Sequence, residues 1–290
     1  MSGKKRASVT YTNRSEKLAN LRRTFTVPTA RLSSLTLLPT ADYAQYLLVP
    51  DWATRLATKR HLATVRSTKG AQASVYLMED SSIGQLYVMK ATSIDDAERV
   101  RLAVKEFEVL KGLDSPHIVK PLGFWIDQDS NRAALILPYL GEQTLEAVGK
   151  LPLDEVQRIG VQLFETLTYL HGQNWIHRDI KPANCLYSDG NLTLIDFQTA
   201  TKIQTSQWLM TYAGTREFTA PEVRTQGVYS AKVDVWSAAT LLLYLSGHKS
   251  SEDIGDTACS HWFRSALEPE PERRPTAEEA LQHSWLRSVL

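Results

Sequence analysis

The sequence has few of the features that mark secreted, membrane-spanning or zinc-binding proteins. Its two cysteines, Cys185 and Cys259, lie far apart and in no metal-ligand spacing. No apolar run reaches the length of a transmembrane helix, and the N-terminus lacks the apolar core of a signal peptide. We therefore expect no transmembrane segment and a reducing intracellular location, in the cytoplasm or the nucleus.

A net charge is also nearly absent, because 33 Lys and Arg residues balance 32 Asp and Glu residues. A formal charge of +1 creates no field that would recruit nucleic acid, so we expect no specific nucleic-acid partner. The apolar fraction of 43% is sufficient for a sizeable core.

Acidic residues are scarce at the N-terminus, where Glu16 is the single acid among residues 1–34, against eight Lys and Arg residues. This composition predicts a flexible basic tail over residues 1–35, followed by a strap or extension over 36–60. Four interpretations of the tail remain open: a solvated tail without function, a docking arm for a partner, a segment phosphorylated at Ser8 or Thr24, and an organelle-targeting peptide.

The rest of the chain changes from strand patterns to helix patterns. Apolar alternation around "STKGAQA" and "DSSIG" predicts antiparallel strands near 61–67, 73–80 and 85–92. A helix is predicted in "SIDDAERVRLAVKEFEVLKGL", and two further strands in "HIVKPLGFWID" and "RAALILPYL". The second half contains an amphipathic helix in "LPLDEVQRIGVQLFETLTYLHGQ" and a buried one in "AKVDVWSAATLLLYLSG". The pattern predicts an α+β fold with two unequal lobes.

Four short motifs follow one another in the order found in protein kinases. "HRDIKPANCL" matches the catalytic loop H-R-D-x-x-x-x-N, and "DFQ" stands in the place of D-F-G. "APE" closes an activation segment, and "YVMK" stands in the place of V-A-I-K on the third strand. Residues 61–290 therefore resemble the serine/threonine class of the protein kinase superfamily. The resemblance implies a bilobal domain, with an N-lobe (61–138) of antiparallel β-sheet plus one main helix and a mostly helical C-lobe (141–290).

The resemblance implies a phosphotransfer site that uses ATP and Mg²⁺ and acts on protein substrates. Asp179 would orient the substrate hydroxyl and accept its proton, and Lys181 would neutralise the transferred phosphate. Lys90 would pair with the nucleotide phosphates, and Glu106 would hold that lysine from the helix.

The same resemblance assigns the metal-binding and nucleotide-binding residues. Asn184 and Asp196 would hold magnesium through oxygen ligands. The phosphates would approach the backbone at Gly70. The remaining nucleotide contacts would come from the adenine pocket and the hinge, at Val75, Val88, Pro138, Leu140 and Leu186, with Leu137 as gatekeeper.

Regulatory and architectural residues also follow from the resemblance. Thr211 would be phosphorylated, and its phosphate would pair with Arg178. Glu222 would form an ion pair with Arg274. Asp234 lies inside an apolar helix, where an acid needs a partner, and would hold the backbone of the catalytic loop.

Three departures from the family pattern leave a second interpretation open. Gly70 is the single glycine kept in the phosphate loop. Gln198 stands where the family has a glycine, and that glycine leaves the neighbouring phenylalanine, here Phe197, free to switch between positions. The segment after "SGHK" is short for the family, so a docking surface is missing or is supplied by the N-terminal extension. The alternative is a pseudokinase that acts as a nucleotide-binding scaffold or allosteric partner. The enzyme is favoured by a complete set of the five residues Lys90, Glu106, Asp179, Asn184 and Asp196.

Overall fold

The computed structural model describes residues 59–66, 74–80, 84–127, 131–141, 143–203, 215–225 and 230–289. The chain divides into two compact units, one formed by residues 1–100 with 123–139 and the other by residues 101–122 with 140–290. The predicted tail, the predicted strap up to residue 58, Gly70 and Thr211 lie outside the described residues.

The first unit contains a five-stranded antiparallel sheet with the spatial order β1-β2-β3-β5-β4. All five strands expected from the sequence are present: β1 (Lys59–Arg66), β2 (Ser74–Asp80), β3 (Gln85–Ser93), β4 (Gly123–Asp127) and β5 (Arg132–Pro138). β1 begins before the expected domain start at 61, because Lys59 and Arg60 pair with Asp80 and Glu79. Strand β3 lies at the centre, between β2 and β5.

Helix α1 (Ala97–Gly112) follows β3 and begins after Asp96, whose Oδ1 accepts the Arg99 N–H at 3.0 Å. The expectation placed the whole helix with the first lobe, whereas the structure groups residues 101–122 with the second unit. The reason lies just after the helix, where the Val119 N–H donates to the Leu194 carbonyl and the Leu194 N–H to the His117 carbonyl. These bonds join the segment to a strand of the second unit.

The second unit is mostly helical, as the sequence predicted. Its helices are α2 (Leu145–Val148), α3 (Leu153–Gly172), α4 (Pro221–Arg224), α5 (Lys232–Ser246), α6 (Ala258–Ala266), α7 (Ala277–Leu281) and α8 (Ser284–Arg287). Two short antiparallel pairs accompany them: β6 (Trp175–Ile176) with β9 (Thr201–Lys202), and β7 (Cys185–Ser188) with β8 (Asn191–Leu194).

Helices α3 and α5 form the centre of this unit, and close packing is possible because Gly160 has no side chain. A Cβ at Gly160 would lie 3.0 Å from Leu286 of α8 and 3.1 Å from Leu242 of α5. The buried face of α3 includes Leu163 and Phe164, both fully inaccessible to solvent. Helix α5 is fixed in place by this contact, which matters because it carries Asp234.

The connection between α5 and α6 is short, in agreement with the sequence. It contains one 3-10 turn, Glu252–Ile254, and no α-helix among these described residues. The Asp253 carboxylate accepts the N–H groups of Lys249 and Ser250 at 3.0 and 3.1 Å, which fixes the turn. Within the described part of the chain, no helix combines the length and apolarity needed to cross a membrane.

Candidate active site

A tight hairpin turn brings Asn184 and Asp196 side by side. Strands β7 and β8 are joined by Asp189 (φ +52°) and Gly190 (φ +79°). Positive φ at both central residues is the geometry of a two-residue turn that matches the twist of the strands. The Ile195 N–H donates to the Asn184 carbonyl at 2.9 Å. Asn184, the residue before β7, and Asp196, the residue after Ile195, are therefore neighbours.

The loop before β7 gathers one carboxylate and two donors. Lys181 Nζ lies 2.7 Å and Asn184 Nδ2 2.9 Å from Asp179 Oδ2. Asn184 Nδ2 also donates to the Asp179 carbonyl at 2.9 Å. The Asp179 side chain is only 13% exposed. The carboxylate that the sequence predicts to be the general base is therefore largely buried and held in one orientation by two donors.

Thr215 contacts the other oxygen of the same carboxylate. Its N–H and its Oγ1 lie 3.1 and 3.2 Å from Asp179 Oδ1, and Lys181 Nζ donates to Oγ1 at 2.8 Å. The contact of Thr215 with Asp179 was not identified from the sequence, because it depends on the folded chain. The Thr215 hydroxyl therefore contacts both Asp179 and Lys181.

Asp234 holds the backbone of the catalytic loop, as the sequence predicted. It is completely buried and accepts the N–H groups of His177 and Arg178 at 2.8 and 2.9 Å. It also accepts a bond from His171 Nε2 at 3.1 Å. Arg178 has φ +71°, a left-handed conformation that costs a non-glycine residue about 1–2 kcal/mol. The two amide bonds from Asp234 stabilise that conformation.

The protonation states of Asp234 and His177 follow from burial and from the contacts of each side chain. Burial opposes ionisation of Asp234, but the His171 hydrogen bond, the nearby histidines and the Arg178 N–H together hold its pKa below the usual range. Burial lowers the pKa of His177, so its imidazole is neutral, although Asp234 and Asp179 oppose this shift. His177 Nδ1 then accepts the Asp179 N–H at 3.3 Å.

Phe197 is fully buried and fixes the position of the turn that carries Asp196. Its ring packs edge-on against His177, with 4.7 Å between centroids. Its N–H donates to Glu106 Oε1 at 3.2 Å, and Glu106 on α1 is itself buried. Asp196 has φ +65°, so the backbone turns sharply at the residue predicted to bind metal. Strained backbone of this kind is frequent at functional sites.

Gln198 does not occupy a backbone conformation that requires glycine. Among the described residues, positive φ occurs at Asp196 but not at Gln198. Gln198 lies within a turn closed by the Ala200 N–H and the Phe197 carbonyl at 3.1 Å. Thr199 Oγ1 donates to the His177 carbonyl at 2.9 Å, which ties this turn to the catalytic loop. A glutamine is therefore accommodated without strain.

The expected ion pair between Glu222 and Arg274 is present and buried. Arg274 Nη1 and Nη2 lie 2.7 and 3.1 Å from the two Glu222 oxygens. The guanidinium also donates to the carbonyls of Lys232 and Glu268 and lies 5.0 Å from the centroid of Trp236. The pair fixes the end of the activation segment to helix α5.

Two further cationic side chains on α1, Lys105 and Arg101, are close enough to interact electrostatically with each other, and Lys105 also interacts with Arg178. Burial lowers the pKa of Lys105 on α1, and the charges of Arg178 and Arg101 lower it further. Positive charges that are close enough to lower the pKa of Lys105 favour the binding of an anion. The sequence identified Arg178 but gave no signal for Lys105 or Arg101, because their proximity depends on how the helix packs.

The predicted nucleotide-binding residues lie in both units. Lys90 is at the centre of β3, and Val75 lies opposite it on β2. Val88, two residues before Lys90, shares its face of the sheet, because side chains alternate along a strand. The other predicted contacts are Pro138 at the end of β5, Leu186 on β7 and the exposed Leu140.

The oxygen ligands fit magnesium bound together with phosphate. The described residues contain no group of three or more His, Cys, Asp or Glu that would hold a metal alone. Asn184 and Asp196, the residues predicted to bind the metal, would supply two hard oxygen ligands, and magnesium in phosphotransfer sites takes the remainder from phosphate and water. This predicted donor set is suited to Mg²⁺ bound together with a nucleotide.

The family described as "Protein kinase domain" matches residues 68–258, more than half of the chain. Serine/threonine-protein kinase Nek6 of Oryza sativa subsp. japonica is 29% identical over 252 residues, which cover 77% of this chain and 47% of that protein. CBL-interacting serine/threonine-protein kinase 18 of Arabidopsis thaliana is 28% identical over 249 residues, 75% of this chain and 48% of that protein. Calcium/calmodulin-dependent protein kinase cmkA of Emericella nidulans is 28% identical over 240 residues, with coverages of 72% and 58%.

The family match shows that the chain belongs to the protein kinase family, and two of these three relatives are named as serine/threonine-protein kinases. The chain spans about half the length of these three curated relatives. The family assignment confirms the expected class of fold. The roles of individual site residues stay predictions.

Proposed function

We propose that this protein is an active serine/threonine protein kinase that transfers the γ-phosphate of ATP to hydroxyl groups of protein substrates. The observation that carries the proposal is the Asp179 carboxylate, which is bound by Lys181 and Asn184 on one oxygen and by Thr215 on the other. A base, a cation and a bound hydroxyl are thus already oriented toward one another.

In the proposed reaction, the substrate hydroxyl oxygen forms a bond to the γ-phosphorus as the bond to the β-phosphate oxygen breaks. The proton of the hydroxyl goes to Asp179, and the bonding electron pair leaves with ADP. Lys181 balances charge on the transferred phosphoryl group. Magnesium, when bound, neutralises the nucleotide phosphates, and Asn184 and Asp196 are the residues that would hold it. Lys90 is assigned to the phosphates from the resemblance.

We further propose that phosphate on Thr211 activates the enzyme. Arg178, Lys105 and Arg101 place positive charge beside the catalytic loop. A phosphate on Thr211 would be attracted to this charge and would order the activation segment. The predicted partner of the basic N-terminal tail is a docking protein or the substrate itself.

A nucleotide-binding pseudokinase is the competing function, and two features of the sequence favour it, the single glycine of the phosphate loop and Gln198. The second of these is weakened, because Gln198 has no positive φ. The intact donors around Asp179 argue for catalysis.

The experiment measures both nucleotide binding and turnover with the purified full-length chain. We expect ATP to raise the Tm only when Mg²⁺ is present, and γ-labelled ATP to label a basic protein substrate. Asp196→Asn should abolish the magnesium-dependent part of the shift and the labelling, whereas Asp189→Asn, in the exposed hairpin turn, should change neither. Stabilisation by ATP without labelling identifies the pseudokinase. The absence of both stabilisation and labelling would refute both functions.

A further inference from the structure

The side chain of Gln162 on helix α3 makes two hydrogen bonds to the hairpin formed by β7 and β8. Its Nε2 donates to the Gly190 carbonyl at 2.8 Å, and its Oε1 accepts the Leu192 N–H at 2.7 Å. A reversed amide would bring donor against donor and acceptor against acceptor, so these partners define its orientation. One side chain of α3 is therefore bound both to the turn of the hairpin and to β8.

The backbone of β8 is hydrogen-bonded along the edge that faces away from β7. Residues of an antiparallel strand use their backbone groups alternately on opposite sides, and Leu192 and Leu194 use theirs on this outer edge. The Leu192 carbonyl accepts a bond from His117 Nδ1 at 2.9 Å. The Leu194 N–H donates to the His117 carbonyl at 2.8 Å, and the Leu194 carbonyl accepts the Val119 N–H at 3.1 Å. With Gln162 on the Leu192 N–H, all four of these backbone groups have partners.

Strand β8 ends two residues before Asp196, so the position of the strand determines where the backbone of that residue lies. The Ile195 N–H is bound to the Asn184 carbonyl at 2.9 Å, which fixes the end of the hairpin opposite the turn. A displacement of β8 relative to α3 would therefore move Asp196 relative to the catalytic loop. Hydrogen bonds that orient metal ligands commonly change metal affinity by about 10–100-fold.

Helix α3 also supports the catalytic loop. Gly160, two residues before Gln162, lies at the close contact between α3 and α5. Helix α5 carries Asp234, which accepts the backbone N–H groups of His177 and Arg178. The loop with the predicted base and the strand that leads to the predicted metal ligand are thus both connected to one helix.

We propose that Gln162 is a positioning residue of the phosphotransfer site, which fixes β8 to α3 and thereby holds Asp196 where magnesium bound with the nucleotide requires it. This inference rests on the proposed kinase function. Gln162 lies outside the motifs that identify the site, because its role depends on the contact between a helix and a hairpin.

The test replaces Gln162 with leucine in the full-length chain, because leucine has a similar size and forms no side-chain hydrogen bond. The Leu192 amide loses its acceptor and should exchange its hydrogen with solvent faster than in the wild type. The Mg²⁺ concentration that gives half of the magnesium-dependent shift in Tm with ATP should rise about tenfold. The Mg²⁺ concentration for half-maximal phosphotransfer should rise by the same factor, whereas the KM for the protein substrate should stay unchanged.

Gln157→Leu is the matched control on the same helix. The Gln157 amide donates to the Trp285 carbonyl and to Ser288 Oγ at the end of α8, and neither bond involves the hairpin. This variant should lower the urea midpoint to a similar extent as Gln162→Leu and keep the wild-type dependence on Mg²⁺. If both variants lost stability and neither changed the Mg²⁺ dependence, Gln162 would have a structural role only, and the proposal would be overturned.

The shift in Tm separates this inference from the proposed activity, because it needs no turnover. A wild type that shows the magnesium-dependent shift without phosphotransfer would refute the kinase activity, and the shifts of the two variants would still decide the role of Gln162. A wild type without any magnesium-dependent shift would refute the positioning role as well, since Asp196 would then hold no magnesium.

Discussion

Asp234→Asn is the substitution that tests most sharply how the fold supports the site. The carboxylate accepts two backbone N–H groups and a histidine N–H in a fully buried position. Asparagine keeps one carbonyl oxygen and presents an NH₂ group where the second oxygen was. One backbone N–H, at His177 or Arg178, then faces another donor.

The size of the effect can be worked out from these contacts. A buried N–H left without an acceptor costs about 1–3 kcal/mol. The retained bonds lose the contribution of the carboxylate charge, about 1 kcal/mol in total. We therefore expect a loss of about 3 kcal/mol in the free energy of unfolding. Arg178 also loses the support for its positive φ, so turnover should fall more than ATP binding does.

Urea unfolding gives the free energy, and hydrogen exchange locates the change. The peptide containing the amides of His177 and Arg178 should exchange much faster in the variant. Asp189→Asn, an exposed substitution of the same type, should change stability by less than about 0.5 kcal/mol. If Asp234→Asn lost less than that and kept both amides protected, the assigned role of Asp234 would be wrong.

Three further predictions follow from single residues. His177→Asn should reduce the loss of stability below about pH 6.5, because burial lowers the pKa of His177 in the fold. The contribution of His177 is complete above the unfolded pKa and falls as the pH drops below it, by up to about 1.4 kcal/mol per pH unit. Equal urea midpoints for variant and wild type across this range would contradict the assignment. Gln198→Gly should change the phosphotransfer rate by less than about threefold, since the site does not need positive φ there; a large rise would show that the glutamine restrains the enzyme. Cys185 and Cys259 should resist alkylation at pH 8 until the protein unfolds, because burial raises their pKa values to about 12 and about 11; rapid labelling of the native protein would disagree.

The strand and helix order was predictable because each element carries its own periodicity. The alternation along β3 and the apolar spacing of α3 need no distant contact to be recognised. The strand boundaries were predicted to within a few residues for β1, β2 and β3. The division between the units was less accurate, because it depends on the hydrogen bonds from Val119 and Leu194, which the sequence does not show.

Site residues could be predicted where they belong to a sequence motif. They could not be predicted where only the packing of the folded chain brings them to the site. Asp179, Asn184 and Asp196 occur in short motifs of fixed spacing, so their proximity was foreseen. Thr215 and Lys105 occur outside those spacings, and only the folded chain brings them to Asp179 and Arg178. The restraint of Phe197 expected from Gln198 was inferred from residue type alone, and the backbone at Gln198 has no positive φ.

The most direct test of the central claim is the single-turnover rate of phosphotransfer in Asp179→Asn at saturating ATP and Mg²⁺. The account predicts a fall of at least about 100-fold, the contribution of a positioned general base, with the ATP-induced shift in Tm unchanged. A variant that transferred phosphate at the wild-type rate would contradict the role of Asp179, and a wild type without turnover would contradict the proposed activity.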